Sequence, residues 1–121
     1  MKKKQLDSQE NDLEILRYLE NRQEVSQREL SKNIGISLGK INYILKALID
    51  KGVVKARNFK NNKNKRAYAY YLTKEGIIEK SRLTVNFFSK KSHEYDNLKV
   101  ELQRLKKEIE DDKQRLSKNG D

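Results

Sequence analysis

Tyr95, Leu98, Leu102, Leu105, Ile109 and Leu116 follow one another at intervals of 3, 4, 3, 4 and 7 residues. On an α-helix that spacing collects them into one seam of heptad a and d positions. A single exposed helix cannot bury such a seam, so this part of the chain predicts a second helix to cover it. With Tyr95, Leu102, Ile109 and Leu116 at a, the d positions are Leu98, Leu105 and Asp112. The flanking positions then sort by charge, with Glu94, Glu101 and Glu108 at g and Lys99, Lys106 and Lys113 at e. In a parallel pair each g meets an e of the partner's next heptad, so every contact is Glu to Lys. An antiparallel pair sets like charges together throughout. The pattern selects a parallel homodimer over about residues 88–116. Each exposed ion pair contributes only a few tenths of a kcal/mol, but their common sign decides orientation. Asp112 is a defect at d, beyond which the zipper is expected to fray. Phe87 and Phe88 come earlier and are expected to pack against the body of the protein or the partner. The competing arrangement is a lone amphipathic helix folded back on its own domain.

The remaining residues suffice for one small domain. Of the 121 residues 35% are hydrophobic and 38% charged, with mean hydropathy −1.03, too little apolar content for one large globule. Leu13, Leu16 and Leu19, with Ile15 beside them, recur at helical spacing and predict a first helix over about 9–21. Val25 reads as a short bridging strand. Ser26-Gln27-Arg28-Glu29 has the form of a capping box, in which the Ser hydroxyl and the Glu carboxylate each satisfy a free backbone N–H. It opens a short second helix through Leu30, and Gly35 ends the turn that follows. Ser37 caps a third helix with Ile41, Ile44, Leu45 and Leu48 on one face, and Lys51-Gly52 suits its C-terminal end. Two β-rich runs, Val53 to Phe59 and Ala67 to Thr73, flank a polar loop and predict a hairpin. From Thr73, a candidate N-cap, helix-favouring residues run almost to the end, with Gly76 the one weak point. Helix, short strand, helix, helix, hairpin and long helix is the winged helix-turn-helix order. The expected fold is mainly α (an α+β winged helix-turn-helix) with a long C-terminal coiled-coil helix. Its expected divisions are a basic tail over 1–8, the domain over 9–75, the long helix over 76–116 and a disordered tail over 117–121.

Charge identifies the partner. The net charge is +10, which favours a polyanion, either nucleic acid or an anionic membrane surface. Residues 1–75 hold 17 Lys/Arg against 9 Asp/Glu, whereas 76–121 hold 11 against 9. Opposite its apolar face the third helix carries Gly39, Tyr43 and Lys46, flanked by Lys40 and Asn42. Asn can read an adenine edge bidentately, Lys can reach guanine or phosphate, and Tyr can bond phosphate or pack on a thymine methyl. Gly39 allows close approach to the groove, and Ser37 with the free N–H groups at the helix start suits a phosphate oxygen. Ser26, Gln27 and Arg28 at the second helix are further candidate phosphate contacts. Any solvated helix face is polar, so the hairpin adds weight. Residues 51–66 contain Lys51, Lys55, Arg57, Lys60, Lys63, Lys65 and Arg66 and no acidic residue, as suits a loop meeting phosphates. Asn62 and Asn64 lie within it.

Asn64-Lys65-Arg66-Ala67-Tyr68-Ala69-Tyr70-Tyr71-Leu72-Thr73-Lys74-Glu75-Gly76 resembles the wing signature of MarR-type regulators. In that family an Asp-x-Arg-Ala/Ser tip runs through a strand into Leu-Thr-x-x-Gly. Ile36-Ser37 through Leu48, then Gly52-Val53-Val54, resembles the family's recognition helix and its exit into the wing. The resemblance covers about residues 9–80. It implies a recognition helix in the major groove and a wing arginine, here Arg66, in the minor groove. Size and C-terminal half are most similar to the short MarR-like regulators associated with exopolysaccharide gene clusters. Asn64 replaces the usual Asp, removing a carboxylate that could orient Arg66. The family's composite dimer domain is reduced to one long helix, which leaves a small-molecule effector without a clear place.

No cysteine is present, which excludes disulfides and thiolate metal sites. Met1-Lys2-Lys3-Lys4 is followed by polar residues rather than the apolar run of a signal peptide. Nothing approaches the roughly 20 apolar residues of a membrane span, so a soluble, cytoplasmic protein is expected. His93, the one histidine, falls at an exposed f position, and Asp111-Asp112 reads as solvated. No phosphate loop, metal-ligand spacing or nucleophile motif occurs. Neither an enzyme nor a cofactor is expected. The expected partners are double-stranded DNA and a second copy of the chain. The leading reading is a sequence-specific regulator on a two-fold symmetric operator. The runners-up are an architectural, nucleoid-type DNA-binding protein and a winged helix reused for protein contacts.

Overall fold

The computed structural model describes the backbone of residues 2–22, 24–58 and 68–119, and the side chains of 8–22, 24–57 and 68–119. Among these residues the order is α1 (Lys2–Asn21), α2 (Gln27–Ile34), α3 (Leu38–Asp50), β1 (Val54–Asn58), β2 (Tyr68–Leu72) and α4 (Lys74–Asn119). The fold is a winged helix with a long C-terminal helix. It forms two compact units, Met1–Thr84 and Val85–Asp121.

In the first unit each helix end follows local chemistry. Ser26 and Ser37, both extended, accept hydrogen bonds from Glu29 N and Lys40 N at 3.1 Å each, capping α2 and α3. The expected capping box at α2 is only half formed. The Glu29 carboxylate instead accepts from the Tyr18 hydroxyl at 2.7 Å, joining α1 to α2 and holding the Tyr18 proton more tightly than usual. α2 also continues past Leu30 to Ile34, where Gly35 closes it. α3 ends in a Schellman motif: Gly52 N–H donates to Ile49 O (2.9 Å) and Val53 N–H to Leu48 O (3.1 Å). Gly52 takes φ 77° there, a conformation open to glycine at little cost.

β1 and β2 pair antiparallel with Ala56 opposite Tyr70. Val25 forms the expected bridge, accepting from Tyr70 N–H at 2.9 Å. Val53 and Thr73, the outer ends of the expected runs, lie outside the strands. Thr73 joins sheet to helix: its hydroxyl donates to Gly52 O (2.7 Å) and accepts from Gly76 N–H (3.0 Å). Ile15, Leu16, Val25, Leu30, Ile41, Leu45, Leu48 and Leu83 form the innermost core. Leu83 shows that the first turns of α4 belong to this domain, which therefore extends past the expected boundary at 75.

The described parts of the two expected tails, residues 2–8 and 117–119, are helical instead. α1 begins at Lys2 rather than near residue 9, because nothing among residues 2–8 breaks a helix and Lys, Gln and Leu favour one. α4 continues through Asn119, past the expected tail at 117, for the same reason.

Among its described residues the second unit is helix alone. Tyr95, Leu98, Leu102, Leu105, Ile109 and Leu116 are all exposed on it, Leu102 at 57% and Leu105 at 49%. Phe88 is also exposed and Phe87 half-buried. Lys99 lies over the Tyr95 ring, 5.4 Å from its centre. His93 and Asp112 are exposed.

Candidate nucleic-acid interface

α3 divides cleanly into two faces. Ile41, Ile44, Leu45 and Leu48 are buried, and Gly39, Lys40, Tyr43 and Lys46 are exposed, Tyr43 at 77%. That division arises because the apolar residues recur at 3- and 4-residue steps, one face of a 3.6-residue period. A Cβ built at Gly39 would meet nothing within 4 Å, so the space before the first turn of α3 is open. Ser37 is exposed at the same helix start. Arg28 is exposed on α2, with Ser26 and Gln27 half-buried beside it.

Asn42 is half-buried, and its surroundings were not foreseen. The Gln27 amide nitrogen donates to Asn42 Oδ1 at 3.0 Å and to the Tyr70 hydroxyl at 2.9 Å. Both of its hydrogens are thereby engaged, and a phosphate oxygen would have to displace one of these partners. Tyr70, only 5% exposed, belongs to the sheet. No sequence signal marked it, because residues 27, 42 and 70 meet only where α2 packs against both α3 and β2.

The wing candidates Lys60, Asn62, Lys63, Asn64, Lys65 and Arg66 lie outside the described residues. On the strand leading to them, Arg57 stacks over Tyr71 at 5.4 Å, and the Tyr71 hydroxyl donates to Glu24 Oε1 at 3.2 Å. Partial burial, reinforced by Glu24, pushes the Tyr71 hydroxyl up. Glu24 holds φ 59°, an uncommon conformation for a non-glycine residue.

Elsewhere in the domain Lys51 and Glu79 act on Asp12. Burial pushes the Asp12 carboxyl up, against the attraction of Lys51 and with Glu79 adding to the rise. Arg82 forks onto Glu79 at 2.7 and 2.8 Å and holds that carboxyl below its ordinary value. Among the described residues no group of three or more acidic or histidine side chains could hold a metal ion. No described helix is long and apolar enough to cross a membrane.

A family model described as winged helix-turn-helix DNA-binding matches residues 8–55. Among curated proteins none matches the sequence. Several solved structures share the fold. The PcaV transcriptional regulator from Streptomyces coelicolor superposes with a TM-score of 0.60 at 20% identity, covering 65% of this chain and 57% of that one. A MarR mutant from E. coli, solved in complex with operator DNA, gives 0.54 at 24% identity, covering 60% and 50%. The adhesin competence repressor AdcR from Streptococcus pyogenes gives 0.56 at 18%, covering 73% and 63%. The chain thus spans little more than half the length of the first of these proteins.

Proposed function

We propose that this chain is a MarR-like, sequence-specific transcriptional regulator that binds a two-fold symmetric operator as a homodimer. The observation that carries the reading is the face of α3. Gly39, Lys40, Tyr43 and Lys46 are exposed opposite four core residues, in a domain whose following hairpin run, 51–66, is basic and free of acids. An exposed aromatic with an open helix start beside it offers base contacts as well as charge. In this reading Ser37, Lys40, Lys46, Ser26 and Arg28 meet phosphates or groove edges. Lys60, Lys63, Lys65 and Arg66, with Asn62 and Asn64, form the wing contact, Arg66 in the minor groove. The exposed seam of α4 supports a parallel coiled coil between two copies. The similarity to short exopolysaccharide-associated regulators makes such gene clusters the targets to examine first, in the cytoplasm. The structure in complex with operator DNA among the fold neighbours agrees with DNA as the partner.

The test is selection of binding sites from random duplex DNA with the full chain, followed by affinities for selected and random sequences at one salt concentration. A palindromic motif is expected, and Tyr43→Ala should lower selected-site affinity by roughly 1–3 kcal/mol per lost contact while random binding barely changes. If no sequence is enriched, the chain binds DNA through charge alone, as an architectural protein does.

A further inference from the structure

Asn42 stands at the edge of the exposed face of α3, the one amide side chain there able to discriminate bases. An Asn carboxamide has an oxygen that accepts and a nitrogen that donates, and its terminal torsion is broad and roughly two-fold. Unrestrained, it presents either end to a neighbour and discriminates poorly. Here it is restrained. Gln27 Nε2 donates to Asn42 Oδ1 at 3.0 Å, which draws the oxygen toward α2 and leaves the two Nδ2 hydrogens, which donate to nothing among the described residues, for another acceptor. Gln27 is itself fixed, because its second amide hydrogen goes to the Tyr70 hydroxyl at 2.9 Å. Tyr70 cannot drift, being buried in the sheet with its N–H on Val25 O at 2.9 Å. The order therefore runs from the sheet through α2 to the edge of the α3 face.

We infer that Gln27 and Tyr70 are positioning residues that set the Asn42 carboxamide with its donor end outward, so that Asn42 recognises a hydrogen-bond acceptor on a base edge of the major groove. Purine N7, guanine O6 and thymine O4 are such acceptors, whereas the exocyclic amines of cytosine and adenine are donors. The relay assigns Gln27 to the interior of the recognition apparatus rather than to a phosphate. It also replaces the bidentate adenine contact expected from the residue type with a donor-only contact. This inference rests on α3 as the recognition helix.

The test uses the full chain and duplexes recovered from a random-sequence pool, each base pair then varied in turn. For the parent, one position should favour an acceptor-bearing edge by about tenfold, the effect of one good base contact, and Asn42→Ala should abolish that preference. Gln27→Glu replaces the donor with a carboxylate that accepts from Asn42 Nδ2, turning the carboxamide over. The preference at that one position should then reverse toward an exposed base amine. Any general loss from the added negative charge cancels in the ratio between sequences. Tyr70→Phe, which keeps the ring in the sheet, should reduce the preference severalfold with random-DNA affinity unchanged. If Asn42→Ala removes the preference while Gln27→Glu and Tyr70→Phe both retain it, the relay is overturned and the recognition-helix reading stands. If the parent shows no preference at any position, or Asn42→Ala leaves every preference intact, both the relay and Asn42 as a reader are overturned.

Discussion

Gly76 stands in the first turn of α4, where by helix propensity alone alanine would be better by roughly 1 kcal/mol. Packing reverses that preference. A Cβ at this position would overlap the Val53 carbonyl oxygen and come within 2.5 Å of Leu72 Cδ1. Val53 O is backbone held by the Thr73 N–H at 3.1 Å and cannot yield cheaply. Gly76→Ala is therefore expected to destabilise the domain by about 1–3 kcal/mol, the usual cost of overpacking, as read from chemical denaturation. A neutral or stabilising result would mean that the Val53–Gly76 junction relaxes freely. Asp12 yields a pH prediction. Its carboxyl is raised by burial, so the folded state holds that proton more tightly than the unfolded chain. The associated stability is present below the ordinary carboxylate range and is lost as pH rises through the raised value. Asp12→Asn should accordingly melt at or above the parent temperature at neutral pH, and the advantage should vanish in acid. Glu79 has the opposite sign, since Arg82 holds it low. Its contribution is present above the ordinary range and lost as pH falls, and exposure of Arg82 keeps it small.

At the scale of elements, what was legible in the sequence is what chemistry decides locally. The caps at Ser26, Ser37 and Thr73, the Gly52 turn and the apolar face of α3 each depend on residues within a few positions of one another. The Val25 bridge was legible because an isolated β-branched residue between two helices has few other uses. Glu29 was misassigned because its alternative partner, Tyr18, lies on another helix. The Gln27–Tyr70 contact escaped for the same reason, as did the need for glycine at position 76. The early start of α1 was missed because its apolar stripe begins only at Leu13, while the helix itself requires no stripe. The seam of α4 is legible as periodicity, and its exposure on the single chain agrees with a missing partner without naming one. Replacing Leu102 and Leu105 together by Asp should yield a monomer in sedimentation, and a variant that stays dimeric removes the zipper assignment. Asp112→Leu supplies the converse. In a parallel pair the two Asp112 carboxylates would share a core layer with each other, at a cost in stability. An apolar residue there should tighten the dimer by tenfold or more, about 1.4 kcal/mol. No change on that substitution would place the end of the zipper before residue 112.

At the scale of the molecule, the two ends of the chain differ in charge as the proposed roles require. Residues 1–84, the first unit, carry 19 basic against 10 acidic residues, whereas 85–121 are nearly balanced at 9 against 8. Polyanion binding should thus reside in the first unit and self-association in the second, and each should be separable by mutation. The logarithm of the affinity for random DNA should fall linearly with the logarithm of salt concentration, with a slope of about 0.9 per phosphate neutralised. Removing Lys63 should reduce that slope by about 1 for each protomer engaged. Dimerisation acts on the site rather than on the slope per protomer. A parallel zipper has a two-fold axis along its length, and two domains related by that axis can meet equivalent DNA surfaces only on inverted half-sites. Where α3 enters the major groove of each, their centres should be separated by about one helical turn, roughly 10 base pairs. A footprint of the parent should then show two protected segments at that spacing. The Leu102→Asp, Leu105→Asp double variant should protect one half-site weakly, at a concentration no longer dependent on the second. Protection of both half-sites by the monomer, or a parent footprint without two-fold spacing, would separate DNA recognition from the coiled coil and leave the seam of α4 to another partner.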